Sequence, residues 1–209
     1  MGMGTGYLLV VEDDLDILKF LETTLTFRGY RVVTARNGRE GLDAVRRERP
    51  ALVIADIMMP QLDGFGLVHR LRIEPRTRGI PVIFITATYV APEDIEFALN
   101  IGVTRFIQKP VDMEKFLETI TELLKQGESA AMEPLKEVSF YLGYRKRLEA
   151  KFIEKEKQIT RDEHLLETSS GGEGQSLHAS LRRTTAERDE LKLLLDQVYQ
   201  QLEKLGGSQ

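Results

Sequence analysis

Over residues 1–126 short apolar runs alternate with longer stretches whose apolar positions recur every three to four residues. The pattern predicts strands over 7–11, 31–35, 52–55, 81–86 and 105–108. It predicts helices over 15–28, 38–49, 64–72, 92–101 and 111–125. The run 81–86 is almost free of polar residues, as expected of a strand covered on both faces. Five strands separated by helices read as βαβ units, so the expected class is α/β: a five-stranded, parallel, doubly wound sheet. In such open sheets the working site lies outside the carboxyl ends of the strands, near a topological switch point.

After residue 126 the pattern changes. Gly127, Ser129 and Pro134 interrupt the last helix, which predicts a first domain over 1–126 and a linker over 127–133. The rest, 134–209, reads as an all-α part with two long helices, 134–168 and 176–205. Their lengths would be roughly 50 and 45 Å. Between them, Ser169-Ser-Gly-Gly-Glu-Gly174 has the composition of a flexible loop. The second helix carries a steps-of-four-and-three seam: Leu177, Leu181, Thr184, Arg188, Leu191, Leu195, Val198, Leu202 and Leu205. Seven of these nine are apolar, which suits a coiled coil. The first helix is weaker. Val138, Phe152, Ile159 and Leu166 keep a seven-residue period, Arg145 breaks it, and Leu142 and Leu148 only partly fill the second row. Two arrangements fit: an antiparallel hairpin that brings Glu156 near Arg188, or a parallel dimer. A lone hairpin buries little apolar area, so association, as a homodimer, is expected either way.

Composition narrows the function. Residues 1–126 carry 18 acidic and 16 basic side chains, and 127–209 carry 15 and 13. Both parts are near −2, which argues against dominant binding to a nucleic-acid backbone. With no cysteine, thiolate chemistry and Cys-based zinc sites are excluded. No apolar run reaches the ~18 residues of a membrane span, and the first residues lack a secretory pattern. A cytoplasmic protein is expected.

The candidate chemistry sits at the predicted strand ends. The first strand runs into Glu12-Asp13-Asp14, the third into Asp56; the fourth ends at Thr86 and the fifth at Lys109-Pro110. Asp14 is best placed to cap the following helix. Glu12, Asp13 and Asp56, if crowded together, would repel one another unless a cation intervened. A hard divalent ion such as Mg²⁺ answers that need with oxygen ligands. Three carboxylates, one such ion and Lys109 sum to about zero formal charge. A phosphoryl group would then find Thr86, Lys109 and the backbone N–H groups after Asp56.

These residues together resemble the receiver domain of two-component response regulators. The resemblance covers about residues 7–125 and rests on Val-Val-Glu12-Asp13, Asp56-Ile-Met-Met-Pro60 with Asp63-Gly64, Thr86-Ala87 and Lys109-Pro110. It implies a flavodoxin-like (βα)5 fold in which Asp56 accepts a phosphoryl group from a histidine kinase or phosphotransfer protein. It further implies Mg²⁺ held by Asp13, Asp56 and the backbone carbonyl of Met58, with Glu12 acting largely through water. Lys109 would contact the phosphoryl group, and its bond to Pro110 would be cis. Thr86 and Phe106 would form the switch, with Phe106 replacing a frequent tyrosine. Such a protein is not an enzyme beyond its own phosphorylation and dephosphorylation. Its expected output is a protein target engaged by the C-terminal helices. The alternatives are a DNA-binding transcriptional regulator and a phosphorylation-independent scaffold. The three histidines, His69, His164 and His178, read as surface residues without ligand-like neighbours.

Overall fold

A computed structural model describes residues 6–127, 135–168 and 174–206. The predicted linker from 128 onward and the inter-helix loop over 169–173 lie outside the described residues. Among the described residues, no helix is long and apolar enough to cross a membrane. The chain divides into two compact units, Met1–Leu135 and Lys136–Gln209.

In the first unit the apolar runs form five strands: β1 (Leu8–Val11), β2 (Val32–Ala35), β3 (Leu52–Ala55), β4 (Val82–Thr86) and β5 (Arg105–Gln108). They pair in parallel in the order β2-β1-β3-β4-β5. All residues of β1, β3 and β4 are buried, whereas the edge strands β2 and β5 are mostly half-buried or exposed. This is why the inner strands are almost wholly apolar, whereas β5 begins and ends on the exposed polar residues Arg105 and Gln108. The helices are α1 (Leu15–Phe27), α2 (Gly38–Arg47), α3 (Gly64–Ile73), α4 (Pro92–Asn100) and α5 (Met113–Gln126). On one face, Leu8, Val10, Leu52, Ile54, Ile83 and Ile85 pack against Leu18, Leu21 and Leu25 of α1 and Phe116, Leu117, Ile120 and Leu123 of α5. The alternate strand residues point to the other face, where Phe84 meets Phe65 of α3 at 5.7 Å.

Most helix starts are set by carboxylate or amide caps. The Asp14 side chain accepts from the N–H groups of Asp16 and Ile17, as expected of a cap. Asn37, Asp63 and Asp112 do the same for α2, α3 and α5, and α4 begins instead with Pro92. Because all four caps follow strands or strand loops, their helices start at the sheet edge where β1, β2, β3 and β5 end.

The second unit is an antiparallel hairpin of α6 (Glu137–Thr168) and α7 (Gly174–Gly206). Pairings run in opposite directions along the two helices. Tyr199 donates to Glu149 at 2.6 Å, Lys155 meets Glu187 at 2.6 Å, Arg188 pairs with Glu156, and Ser180 donates to Asp162 at 3.3 Å. The expected Glu156–Arg188 contact is therefore present, within one chain. All nine seam positions of α7 are buried or half-buried. The seam expected on α6 needs correction at its start. Val138 and Leu142 are both 45% exposed, while Phe140, Tyr144 and Leu148 are buried. The two aromatic rings, 5.4 Å apart, set the buried stripe there in steps of four, one phase away from the seven-residue row. His69 is also corrected: it is buried, because nearly every position of α3 is enclosed by neighbouring elements.

Reversing Glu156 or Arg188 alone should lower the thermal midpoint of the hairpin. Reversing both should restore most of the loss, as read by circular dichroism at 222 nm, whereas equal losses in all three variants would contradict this register.

Candidate functional site

The strand order reverses direction at β1, which lies between β2 and β3, so a crevice opens beyond the carboxyl ends of β1 and β3. Backbone pairing continues past the strands and fixes what enters that crevice. The N–H of Asp56 donates to Val11 at 2.9 Å, that of Glu12 to Ala35 at 3.0 Å, and that of Lys109 to Thr86 at 2.9 Å. Glu12, Asp13, Asp56 and Lys109 are thereby delivered to one edge by three different strands.

Their side chains meet. Lys109 Nζ lies 2.9 Å from Glu12 Oε2 and 2.7 Å from Asp56 Oδ2. The other oxygen, Asp56 Oδ1, accepts from the N–H of Ile57 at 2.5 Å and more distantly from that of Met58 at 3.4 Å. Glu12 and Asp56 are buried and Asp13 is exposed. Ligand oxygens of these three carboxylates lie within 4.8 Å of one another. A hard oxygen donor set of this kind suits Mg²⁺, which takes one or two carboxylates and keeps its waters. Asp13, on the exposed side, leaves solvent access for such waters.

One lysine does not neutralise three carboxylates, and the acidities reflect it. Burial, and then the neighbouring Asp56 charge, pushes Glu12 up to about 7 despite its contact with Lys109. Burial also raises Asp13, with Asp56 adding to the effect. Burial alone would lower Lys109, but Asp56 and Glu12 together hold it above its ordinary value. His69 is pushed down to about 4 by burial and by Arg70, so at neutral pH it is an uncharged α3 residue.

Thr86 is fully buried at the end of β4. Its Oγ1 lies 3.1 Å from Thr88 Oγ1 and accepts the N–H of Thr88 at 3.1 Å. Thr88 is thus the resting partner of the Thr86 hydroxyl, a contact between strand end and loop that spacing alone does not reveal. Phe106 is half-buried and stands opposite Phe84 in the β4–β5 register. Tyr89 follows Thr88 with φ of 56°, and its buried ring packs edge-on to Phe65 at 5.2 Å. A left-handed tyrosine is uncommon, and its ring packing holds it there. Met58 is half-buried beside Asp56. The Lys109–Pro110 bond is cis, as the resemblance implies.

Gly64 is the further residue on which the site geometry depends. Its N–H donates to Ile57 at 2.9 Å, and a Cβ there would lie 2.5 Å from the Asp56 carbonyl oxygen and 2.9 Å from Ile57 Cα. Only a residue without a side chain lets α3 start against the backbone of Asp56.

A doubly wound sheet with an acidic pocket and a lysine at its strand ends defines a phosphoryl-accepting class of α/β module. Residues 8–121 match the response regulator receiver domain, and the chain belongs to that family. It is 39% identical over 121 residues to a probable transcriptional regulator, ycf27, of Porphyra purpurea, covering 58% of this chain and 48% of that protein. It is 33% identical over 186 residues to the transcriptional regulatory protein GlrR of Escherichia coli K12, covering 88% of this chain and 40% of that one. The chain thus spans half or less of the length of these curated relatives. Among solved structures it resembles the receiver domain of a signal transduction histidine kinase from Syntrophus aciditrophicus. The TM-score is 0.54 at 34% identity, over 58% of this chain and 92% of that one. The family is a phosphoacceptor signalling module of two-component systems rather than a conventional enzyme.

Two outcomes follow from the site. Folded Glu12 keeps its proton up to about 7, whereas an unshifted Glu releases it near 4.5. The folded state therefore binds the extra Glu12 proton between these values, so Glu12's contribution to metal-free stability should fall as pH rises from about 4.5 to about 7. His69, held down to about 4 from an ordinary 6.5, contributes the opposite slope. Urea unfolding across that range should show Glu12→Gln gaining stability relative to the wild type as pH rises, with the His69 slope common to both. Gly64→Ala should cost about 1–3 kcal/mol in the same assay, because backbone rather than a side-chain tip must give way.

Proposed function

We propose that Asp56 accepts a phosphoryl group from the phosphohistidine of a partner kinase or phosphotransfer protein, and that this switches interactions made by the C-terminal helices. The carrying observation is the convergence of Glu12, Asp13, Asp56 and Lys109 on one crevice. An Asp56 carboxylate oxygen attacks phosphorus, the P–N bond breaks, and the departing imidazole keeps the bonding pair and takes a proton. Lys109 already lies within 2.7 Å of Asp56, and its ammonium offsets charge on the incoming oxygens. The N–H groups of Ile57 and Met58 orient the carboxylate from its other oxygen. Asp13, Asp56 and the Met58 carbonyl would hold Mg²⁺, with Glu12 reached through water. When bound, that ion shields negative charge at the transferring group.

The reading of the switch follows from the resting contacts. Thr86 would exchange its Thr88 hydrogen bond for a phosphoryl oxygen, and Phe106, half-buried at the adjacent strand, would turn inward. Phosphorylation then shifts a population between two arrangements of one fold. As output, the hairpin supports protein–protein contact better than DNA binding. Its helices are long and carry twelve acidic and twelve basic residues interspersed along them, with no net positive charge. The transcriptional names of the relatives, one of them similar over a span that reaches into the helices, favour a DNA-binding regulator as the second reading. Specific retardation of DNA at low salt would move that reading to the front.

Incubation with a small phosphodonor and Mg²⁺ should add one phosphoryl mass to the wild type and none to Asp56→Asn. No Asp56-dependent gain would leave a phosphorylation-independent scaffold as the better account. Thr86→Ala should still gain the mass but lose any change in oligomeric size or hairpin exchange that phosphorylation produces.

A further inference from the structure

Charge is segregated within the receiver. The acidic crevice lies where the strands end, whereas basic residues gather at the opposite edge, where α2 and α3 end. Segments 46–49 and 70–78 hold seven of the sixteen basic residues of 1–126, Arg46, Arg47, Arg49, Arg70, Arg72, Arg76 and Arg78, against two acidic ones. A groove of about 740 Å³ opens between these segments. Its floor is apolar, from Leu42, Val45 and Leu71, and Ile73 stands on its rim with 53% of its surface exposed.

Five arginines line the groove. Arg46 is paired with Asp43 at 2.8 Å, and Arg49 Nε donates to the Arg76 carbonyl at 2.9 Å. Arg47, Arg70 and Arg76 enter no ion pair among the described residues. Basic residues in the last turn of a helix complement its dipole, which accounts for one or two of them. That effect does not gather three unpaired guanidiniums from two helices and a loop around a concave, apolar-floored space. Two carboxylates also line the groove: Glu48 is already held by both nitrogens of Arg31 at 2.7 and 2.8 Å, and Glu74 is exposed and leaves the positive excess in place.

We propose that this groove binds an extended acidic peptide with an apolar anchor, contributed by a protein partner. Arginine forks match carboxylates two bonds at a time, and the apolar floor accepts alternate side chains of such a strand. Nucleic acid fits less well. No aromatic residue lines it to stack on an exposed base, and its apolar floor offers nothing to a phosphate backbone. The site lies at the far edge from Asp56, so it goes beyond the phosphoacceptor reading and stands without it.

The test is a titration of the ¹⁵N-labelled full chain, followed by amide shifts. The probes are an eight-residue peptide of alternating leucine and glutamate, its leucine–lysine counterpart, and an eight-nucleotide single-stranded DNA. The leucine–glutamate peptide should shift Arg47, Arg70, Ile73 and Arg76 and bind more weakly as salt rises. The triple variant Arg47→Gln, Arg70→Gln, Arg76→Gln should weaken it at least about tenfold while keeping the wild-type circular dichroism, since exposed unpaired charges contribute little to stability. No shift at the groove, equal binding by the triple variant, or equal binding of the lysine peptide would overturn the proposal. DNA binding there as tightly as the acidic peptide would overturn it too, and reassign the groove to nucleic acid.

Discussion

The contact between Lys109 and the two carboxylates of Glu12 and Asp56 is the interaction on which the receiver's working edge depends. One half-buried cation at 2.9 and 2.7 Å joins the ends of β1, β3 and β5. Removing it would leave two buried carboxylates facing each other with no countercharge. Yet the lysine does not complete the neutralisation, because Asp13 adds a third negative charge at the mouth. A site left short of positive charge in this way suits a cation, and the backbone N–H groups that orient Asp56 fit the phosphoacceptor role proposed for it. The same imbalance that burdens the fold gives the crevice its chemistry.

The sheet makes this affordable by keeping the imbalance at its rim. The residues of β1, β3 and β4 are buried and apolar below the crevice, so ionised groups appear only where the backbone leaves the sheet. Gly64 lets α3 begin against Asp56 itself, and Asp14, Asp63 and Asp112 start their helices at the same level. The crevice is thus framed by helix N-termini, which tolerate negative charge, while the arginines collect at the C-termini on the other side.

Much of this was legible in the sequence, for physical reasons that differ by residue. The inner strands announce themselves because burial on both faces removes polar alternation. Asp56 and Thr86 could be placed because one follows and the other ends such a run, and Lys109 because it follows the short edge strand β5 in the same βαβ series. The seam of α7 was readable because one row, apolar at seven of its nine positions, faces one partner. The start of α6 was not: Phe140, Tyr144 and Leu148 compete with the seven-residue row, and burial of the larger rings decides the phase. His69 was misplaced because α3 is enclosed almost all round, so its sequence has no polar face to betray which side is inside. The Thr86–Thr88 contact and the arginine groove depend on turns and helix ends assembled in space, which no local period encodes.

The loop after β4 has a consequence of another kind. The chain has no tryptophan and six tyrosines, and Tyr89, just beyond Thr86 and Thr88, is fully buried against Phe65. Its ring is held in rigid, asymmetric aromatic surroundings, one residue past the resting partner of the Thr86 hydroxyl. Near-ultraviolet absorption and emission from this chain therefore arise without an indole background. The segment nearest the crevice's hydroxyl carries its own optical label, with no need for a foreign dye.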